Sequence, residues 1–194
     1  MNPGNSDEGF GGRAVIFPHD QWIDAAVLVP VYRERDKDFL ILTKRTEEVL
    51  HHKGQICFPG GARDLADCSL WETALRECQE EIGLDPNQIS LVRELGQQYT
   101  PTGFRVTPFI GQIARRSAFT PNPNEIAAIF SVPFSYFKDG TNVRFLRKEW
   151  QGQVFMDPHF TFEGHEIWGM TGRVLCELFD LSPEKSDGHS GLDF

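Results

Sequence analysis

The sequence predicts an α/β (α+β) fold, a mixed β-sheet sandwiched between helices. Apolar, β-rich runs come first, followed by one amphipathic helical stretch, further strand-like runs and a second helical stretch. That order suggests a mixed-sheet sandwich. At 194 residues the chain suits one domain that buries about 70% of its unfolded surface. No internal repeat is visible.

AAVLVPVY, residues 25–32, is the first β-rich run, and FLILTKR, Phe39 to Arg45, is the second. The charged turn RERDKD separates them, so the pair reads as a β-hairpin. From Thr46 to Gly61 the pattern is irregular and ends in FPGG, a turn signal. A helix is predicted from near Ser69 or Leu70. Leu75, Cys78 and Ile82, with Trp71 and Ala74 nearby, give it one apolar face. The glutamates of this stretch are expected to fall largely off that face. Gly83 marks its end, and Asp85-Pro86 follows. Strands are expected near Ile89–Gln98 and Val106–Ala114. The polar loop TPNPNE then precedes IAAIFSVPFSYF. VRFLRKEW and QVFMDP read as a later hairpin, and a final helix is expected from about Ile167 to Leu181. Residues 1–20 read as a flexible arm and 183–194 as a flexible tail. The domain proper is then 21–182.

A net charge of -9 argues against general nucleic-acid binding, which wants a basic surface. No apolar run approaches the roughly 18 residues of a membrane span, so no membrane partner is expected. The N-terminus, MNPGNSDEGFGG, is polar and glycine-rich and does not read as a signal peptide. Cysteines 57, 68, 78 and 176 form no CxxC pair. Reduced thiols in a cytoplasm are the simplest reading. His51-His52 has no cysteine or histidine at zinc spacing.

The chemistry concentrates between Gly60 and Leu84. Glu77, Glu80 and Glu81 stand three and four residues apart, so they share a helix side, where like charges repel. A divalent cation is the natural offset. Carboxylates are hard oxygen ligands suited to Mg²⁺ or Mn²⁺, and such a site polarises phosphates and activates water. The plain alternative is an acidic, solvated helix face. Gly60 and Gly61 let the backbone pass close to phosphate or metal.

Arg76-Glu77-Cys78-Gln79-Glu80-Glu81-Ile82-Gly83-Leu84 resembles the second half of the Nudix box, REUxEExGU, where U is a bulky apolar residue. Cys78 is a mild departure. The first half is irregular: one residue is added, and Asp67 and Cys68 compete for its acidic position. A second stretch, LILTKRTEEVLHHKGQICFPGG, resembles the segment LLTxR[SA]x3Rx3Gx3FPGG of the coenzyme A pyrophosphatase branch of Nudix hydrolases. Leu42 to Arg45, Gly54 and Phe58 to Gly61 match; Thr46 replaces Ser or Ala, and Leu50 replaces an arginine. GFRVTPFIG, NPNEI and IWGMTGRVL look like the same branch, so the resemblance spans about residues 25 to 180.

The resemblance implies a Nudix fold and a metal-dependent hydrolysis of the coenzyme A pyrophosphate. Glu77, Glu80, Glu81 and the Gly61 carbonyl are the implied metal ligands. Arg76 is implied to orient the glutamates by charged hydrogen bonds. Glu125 is the candidate general base; its alternative role is an acid at a helix N-terminus. Lys44, Arg45, Lys53, Phe58, Gly60 and Gly61 are the substrate-side candidates, with Tyr99 and Phe104 as further rings that could stack on adenine; for Phe58 core packing is the alternative. Lys44 to Arg63 carries four Lys/Arg and two acids, whereas Asp64 to Glu94 carries eight acids and two arginines. A basic strip beside an acidic site suits a phosphorylated nucleotide; the alternative is that Lys44 and Arg45 merely end a strand at the surface. Another nucleoside diphosphate derivative, ADP-ribose-like or a nucleotide sugar, is the competing substrate, and a homodimer is expected by resemblance to many Nudix proteins.

Overall fold

The computed structural model describes residues 21–48, 53–114, 118–150 and 153–183. The arm at 1–20, almost all of the tail, Leu50, His51 and His52 lie outside the described residues.

Strands β1 (Ile23–Glu34) and β2 (Lys37–Arg45) pair antiparallel, with Val31 opposite Leu40 and Glu34 opposite Lys37. Arg35 and Asp36 close the hairpin at φ 47° and 61°. Two successive positive φ values fit the turn whose twist matches that of paired strands. β1 is buried continuously from Ala25 to Tyr32, which explains its unbroken apolar run: both faces are covered.

Away from the turn, the two strands part, and the stretch expected to be irregular enters between them. β3 (Ile56–Cys57) pairs with β2, Thr43 facing Cys57. β4 (Gly60–Ala62) pairs with β1, Ala26 facing Gly61. On the other side of β1, β7 (Phe104–Ile113) runs parallel, from Ile23 opposite Phe104 to Val31 opposite Gln112. A parallel pair needs a long crossover, and α1 (Leu70–Ile82) lies within it. The single strand expected over 89–98 is two, β5 (Ile89–Glu94) and β6 (Gln98–Tyr99), both antiparallel to β7. β8 (Ile126–Pro133) lines the outer side of β2.

Alternation along β1 and β2 divides the core in two. Ala26, Leu28, Tyr32 and Ile41 pack with Ala74, Cys78 and Ile82 of α1. Ala25, Val27, Val29, Leu40 and Leu42 pack on the other face with Phe160, Val174 and Leu175. Those last residues come from a second sheet, β9 (Val143–Trp150), β10 (Gln153–Phe162) and β11 (His165–Ile167), and from α2 (Gly169–Phe179). The later hairpin is thus present with a third strand. β11 takes up Ile167, so α2 starts two residues after the expected position. Among the described residues no helix is long and apolar enough to cross a membrane.

The ends of α1 are set locally. The Ser69 side chain accepts a hydrogen bond from the Glu72 N–H, and Gly83, at φ 69°, donates its N–H to the Gln79 carbonyl.

Candidate active site

Ala74, Cys78, Glu81 and Ile82 form the buried stripe of α1, the i, i+4, i+7, i+8 pattern of a packed helix face. Glu81 therefore departs from the expectation that the glutamates lie off the apolar face: it is 1% exposed. Its Oε1 accepts from Arg45 Nη1 at 3.1 Å, and its Oε2 accepts from the Gly60 N–H at 3.2 Å. Burial pushes its carboxyl up to about 7, against the pull of the Arg45 charge. Arg45 arrives by strand alternation: Ile41 packs toward α1, and Thr43 and Arg45 follow at steps of two. Lys44, half-buried, stands beside it where the β2–β8 register shifts.

Arg76 organises the neighbouring acids. Its Nε and Nη2 donate to the two oxygens of Asp67, each at 3.1 Å. Its Nη1 donates to Glu77 Oε1 at 2.8 Å and to Glu80 Oε2 at 3.1 Å, and Nη2 also reaches the Ala62 carbonyl at 3.2 Å. Such bidentate, charge-assisted bonds fix orientation as well as energy. Asp67 accepts further bonds from the Asp64 N–H and the Thr73 hydroxyl. Chiefly through Arg76, its carboxyl is held well below the usual range. Between the two residues that competed for the upstream acidic position, Asp67 thus enters the network. Cys68 is exposed, and its N–H donates to Glu72. Glu80 is solvent-facing, with its side chain 56% exposed. Partial burial raises the Glu77 carboxyl, opposed by Arg76.

The glycines are required by crowding. A Cβ on Gly60 would meet the Ala26 carbonyl oxygen at 2.3 Å, and one on Gly61 would meet the Glu77 carboxylate at 2.6 Å. At position 60 the clash is with backbone and demands glycine, whereas at 61 a side chain would displace the Glu77 carboxylate.

The loop before β8 docks on the end of α1. The Asn122 N–H donates to the Glu81 carbonyl and the Thr120 N–H to the Ile82 carbonyl, both at 2.8 Å. Sequence reasoning missed these two contacts, and no local pattern announces them. They bring Glu125 to the glutamates, and its charge raises both the Glu77 and the Glu81 carboxyls. Glu125 precedes a strand, β8, so its alternative role as a helix N-terminal acid does not apply. Phe58 requires a second correction. It is 2% exposed and belongs to the core on the face opposite α1, so it does not line the site. Lys53 is exposed. Tyr99 stands edge-on to Trp22 at 5.0 Å, and Phe104 packs against the core.

The family model for the NUDIX domain matches residues 22–167. The chain belongs to the Nudix family. It is 35% identical to an uncharacterized Nudix hydrolase, NudL, of Pectobacterium atrosepticum, over 83% of each protein. It is 33% identical to the mitochondrial Nudix hydrolase 15 of Arabidopsis thaliana, covering 83% of this chain and 59% of that one. The Nudix hydrolase RenU of M. smegmatis has the same fold, with a TM-score of 0.51 and 22% identity, over 60% of this chain and 81% of that one. The protein is accordingly a Nudix pyrophosphohydrolase acting on nucleoside diphosphate derivatives.

Nudix hydrolases generally use divalent cations. Among the described residues, no three Asp, Glu, His or Cys side chains gather into a ready metal cage. The expected convergence of Glu77, Glu80 and Glu81 is not met because Arg76 draws two of them and Arg45 with Gly60 holds the third. The donors still fit a hard cation. Asp67, Glu77, Glu80 and Glu81 meet Arg45 and Arg76, an excess of two acids to which Glu125 adds a further one, and such an excess suits a divalent ion.

Proposed function

We propose that this Nudix hydrolase cleaves the pyrophosphate of coenzyme A or its thioesters, giving (acyl-)4'-phosphopantetheine and adenosine 3',5'-bisphosphate. The observation that carries the reading is the segment from Leu42 to Gly61. It resembles the coenzyme A pyrophosphatase branch, and the same segment supplies Arg45 and the Gly60 N–H to Glu81. Glu77, Glu80, Glu81 and the Gly61 carbonyl would hold Mg²⁺ or Mn²⁺. The bound cation would neutralise charge on the pyrophosphate and lower the pKa of attacking water.

The chain's own groups have separable tasks in this reading. Arg76 keeps Glu77 and Glu80 aimed. Glu125 accepts the proton of the attacking water. Arg45 and Lys53 offer positive charge to the substrate phosphates, while Gly60 and Gly61 leave room beside them. The catalytic domain is 21–182, working as a homodimer on a cytoplasmic pool of coenzyme.

A panel of nucleotides assayed with Mg²⁺ and with Mn²⁺, products identified by mass, tests the reading. Metal-dependent release of adenosine 3',5'-bisphosphate from coenzyme A is expected. No turnover of coenzyme A or its thioesters, with clear turnover of another nucleotide, would overturn it. Leu50, standing where the branch carries arginine, is the feature that favours the second reading, an ADP-ribose-like or nucleotide-sugar substrate. Competing substrates at equal concentration separate the two, because specificity is a ratio of kcat/KM values.

A further inference from the structure

The two arginines at the glutamates are satisfied very differently. Arg76 bonds Asp67, Glu77, Glu80 and the Ala62 carbonyl, using all three of its nitrogens. Among the described residues, Arg45 donates from Nη1 to Glu81, with the Cys57 thiol as a second and weaker neighbour. Its Nε is buried and without a hydrogen-bond partner. A buried donor left unpaired costs on the order of 1–3 kcal/mol, so a folded protein that keeps one usually has a use for it. The neighbouring Cys57 offers no counter-charge, because burial pushes its thiol up to about 11. The Arg45 side chain is still 21% exposed, so a ligand can reach it from solvent.

Glu81 is in the complementary position. Both of its oxygens are engaged, one by Arg45 and one by Gly60. A cation that takes Glu81 competes with Arg45 for the same carboxylate. Displaced, Arg45 would carry a full charge, several free N–H donors and no acid. Its planar fork then suits a phosphate oxygen pair.

We propose that Arg45 is an exchangeable counterion: it neutralises Glu81 in the metal-free enzyme and is released by the divalent cation to bind a phosphate of the nucleotide substrate. Arg76, locked on Asp67, is the fixed counterion. The proposal rests on the reading of Glu81 as a metal ligand and deepens it by assigning the order of events: metal first, then a phosphate on Arg45. Cation and arginine compete for one carboxylate, while substrate and arginine attract.

The test therefore asks for effects of opposite sign. Mn²⁺ binding to the substrate-free protein is measured by the loss of the free-ion paramagnetic signal, for the wild type, Arg45→Gln, Arg45→Lys and Glu81→Gln, each checked by thermal melting. Arg45→Gln is expected to bind Mn²⁺ about fivefold more tightly, the lower range of typical coupling between sites. Its KM for the nucleotide should rise about tenfold or more, beyond any fall in kcat, as for the loss of a charged contact to substrate. Arg45→Lys keeps the charge but not the fork and should fall between; it answers alone if Arg45→Gln does not fold. Weaker Mn²⁺ binding by the arginine variants would overturn the proposal and make Arg45 a mere support for Glu81. Unchanged Mn²⁺ binding by Glu81→Gln would instead remove the ligand reading, and the proposal with it.

Discussion

Two charged clusters in this molecule are near inversions of each other. At the end of α1, Arg76 is one cation among Asp67, Glu77 and Glu80. Between β9, β10 and α2, Asp157 is one acid among basic side chains: Lys148 Nζ at 2.6 Å, His159 Nε2 at 3.1 Å and Arg173 Nη1 at 3.9 Å. Both hubs are at least partly buried, yet their balances differ. Lys148 and Arg173 offset Asp157, while Glu166 pairs with Arg144 and also approaches His159, so the second cluster closes on itself. Arg173 further bonds the Gln98 side chain and the Tyr99 carbonyl, tying α2 to β6. The first cluster, even with Arg45 counted, keeps an excess of two acids before Glu125 is added. Burial and ion pairing are common to both; the uncompensated charge is what marks a site for a ligand rather than a strut.

The largest expected effect lies in the open cluster. Glu81→Gln should lower turnover at least about 100-fold while the protein stays folded, the order expected for loss of transition-state stabilisation at such a site. Steady-state rates with Mn²⁺, alongside a thermal melt, check both halves. Normal turnover in that variant would place the open cluster with the closed one. The converse holds at Asp157. Asp157→Asn should cost about 2 kcal/mol of stability, because it leaves Lys148 and a buried Arg173 without a counter-charge. Turnover per folded molecule should be retained, measured after titrating the active fraction. A large loss of kcat with unchanged stability would break the distinction between the two hubs.

The sequence made one cluster legible and not the other, for a physical reason. Arg76 and Glu80 are four residues apart on one helix, and Ser69 and Gly83 cap that helix locally, so the helix and the side carrying the glutamates follow from spacing, while the orienting role of Arg76 came from the family resemblance. The β1–β2 hairpin was legible in the same way, from two apolar runs and a charged turn. Glu81 meets Arg45 across 36 positions, and a glutamate in the buried stripe reads as polar until its partner is seen. Asp157 draws its partners from β9, β10 and α2, and no periodicity records such a meeting. The same limit hid the parallel β1–β7 pairing and the short β3 and β4, since strands of two or three residues carry no period. Phe58, weighed between substrate stacking and the core, lies in the core directly after β3.

A smaller effect separates the hubs by pH. Arg76 holds the Asp67 carboxyl below its ordinary value. Such a group stabilises the fold fully above its unfolded pKa, about 4, and less as pH falls through the lower folded value. Asp67→Asn should therefore be less stable than the wild type at neutral pH. The gap should narrow in acid, below about pH 4, as the wild type loses what the variant never had. Melting temperatures taken from pH 7 down to pH 2.5 would show the two curves approaching. A constant gap would mean that Asp67 acts through shape and neutral hydrogen bonds instead.

The smallest effect is expected at Lys148, and it bears on what a closed cluster means. Its side chain is 37% exposed and its ammonium also lies 5.0 Å from the centre of the Trp168 ring. Solvent screens a pair at that exposure, so Lys148→Met should cost about 1 kcal/mol or less. The substitution leaves the Asp157 cluster one positive charge short, yet Arg173 and His159 still face the carboxylate. Mn²⁺ binding to the whole protein should not change, because Arg173 still faces Asp157 and Arg144 still faces Glu166, which leaves no free set of oxygen ligands for a divalent ion. A second Mn²⁺ appearing in the variant would show that net charge alone makes a metal site. Its absence would show that the open cluster owes its character to charge and donor geometry together, the excess acids supplying the first and Arg76 the second by holding Glu77 and Glu80.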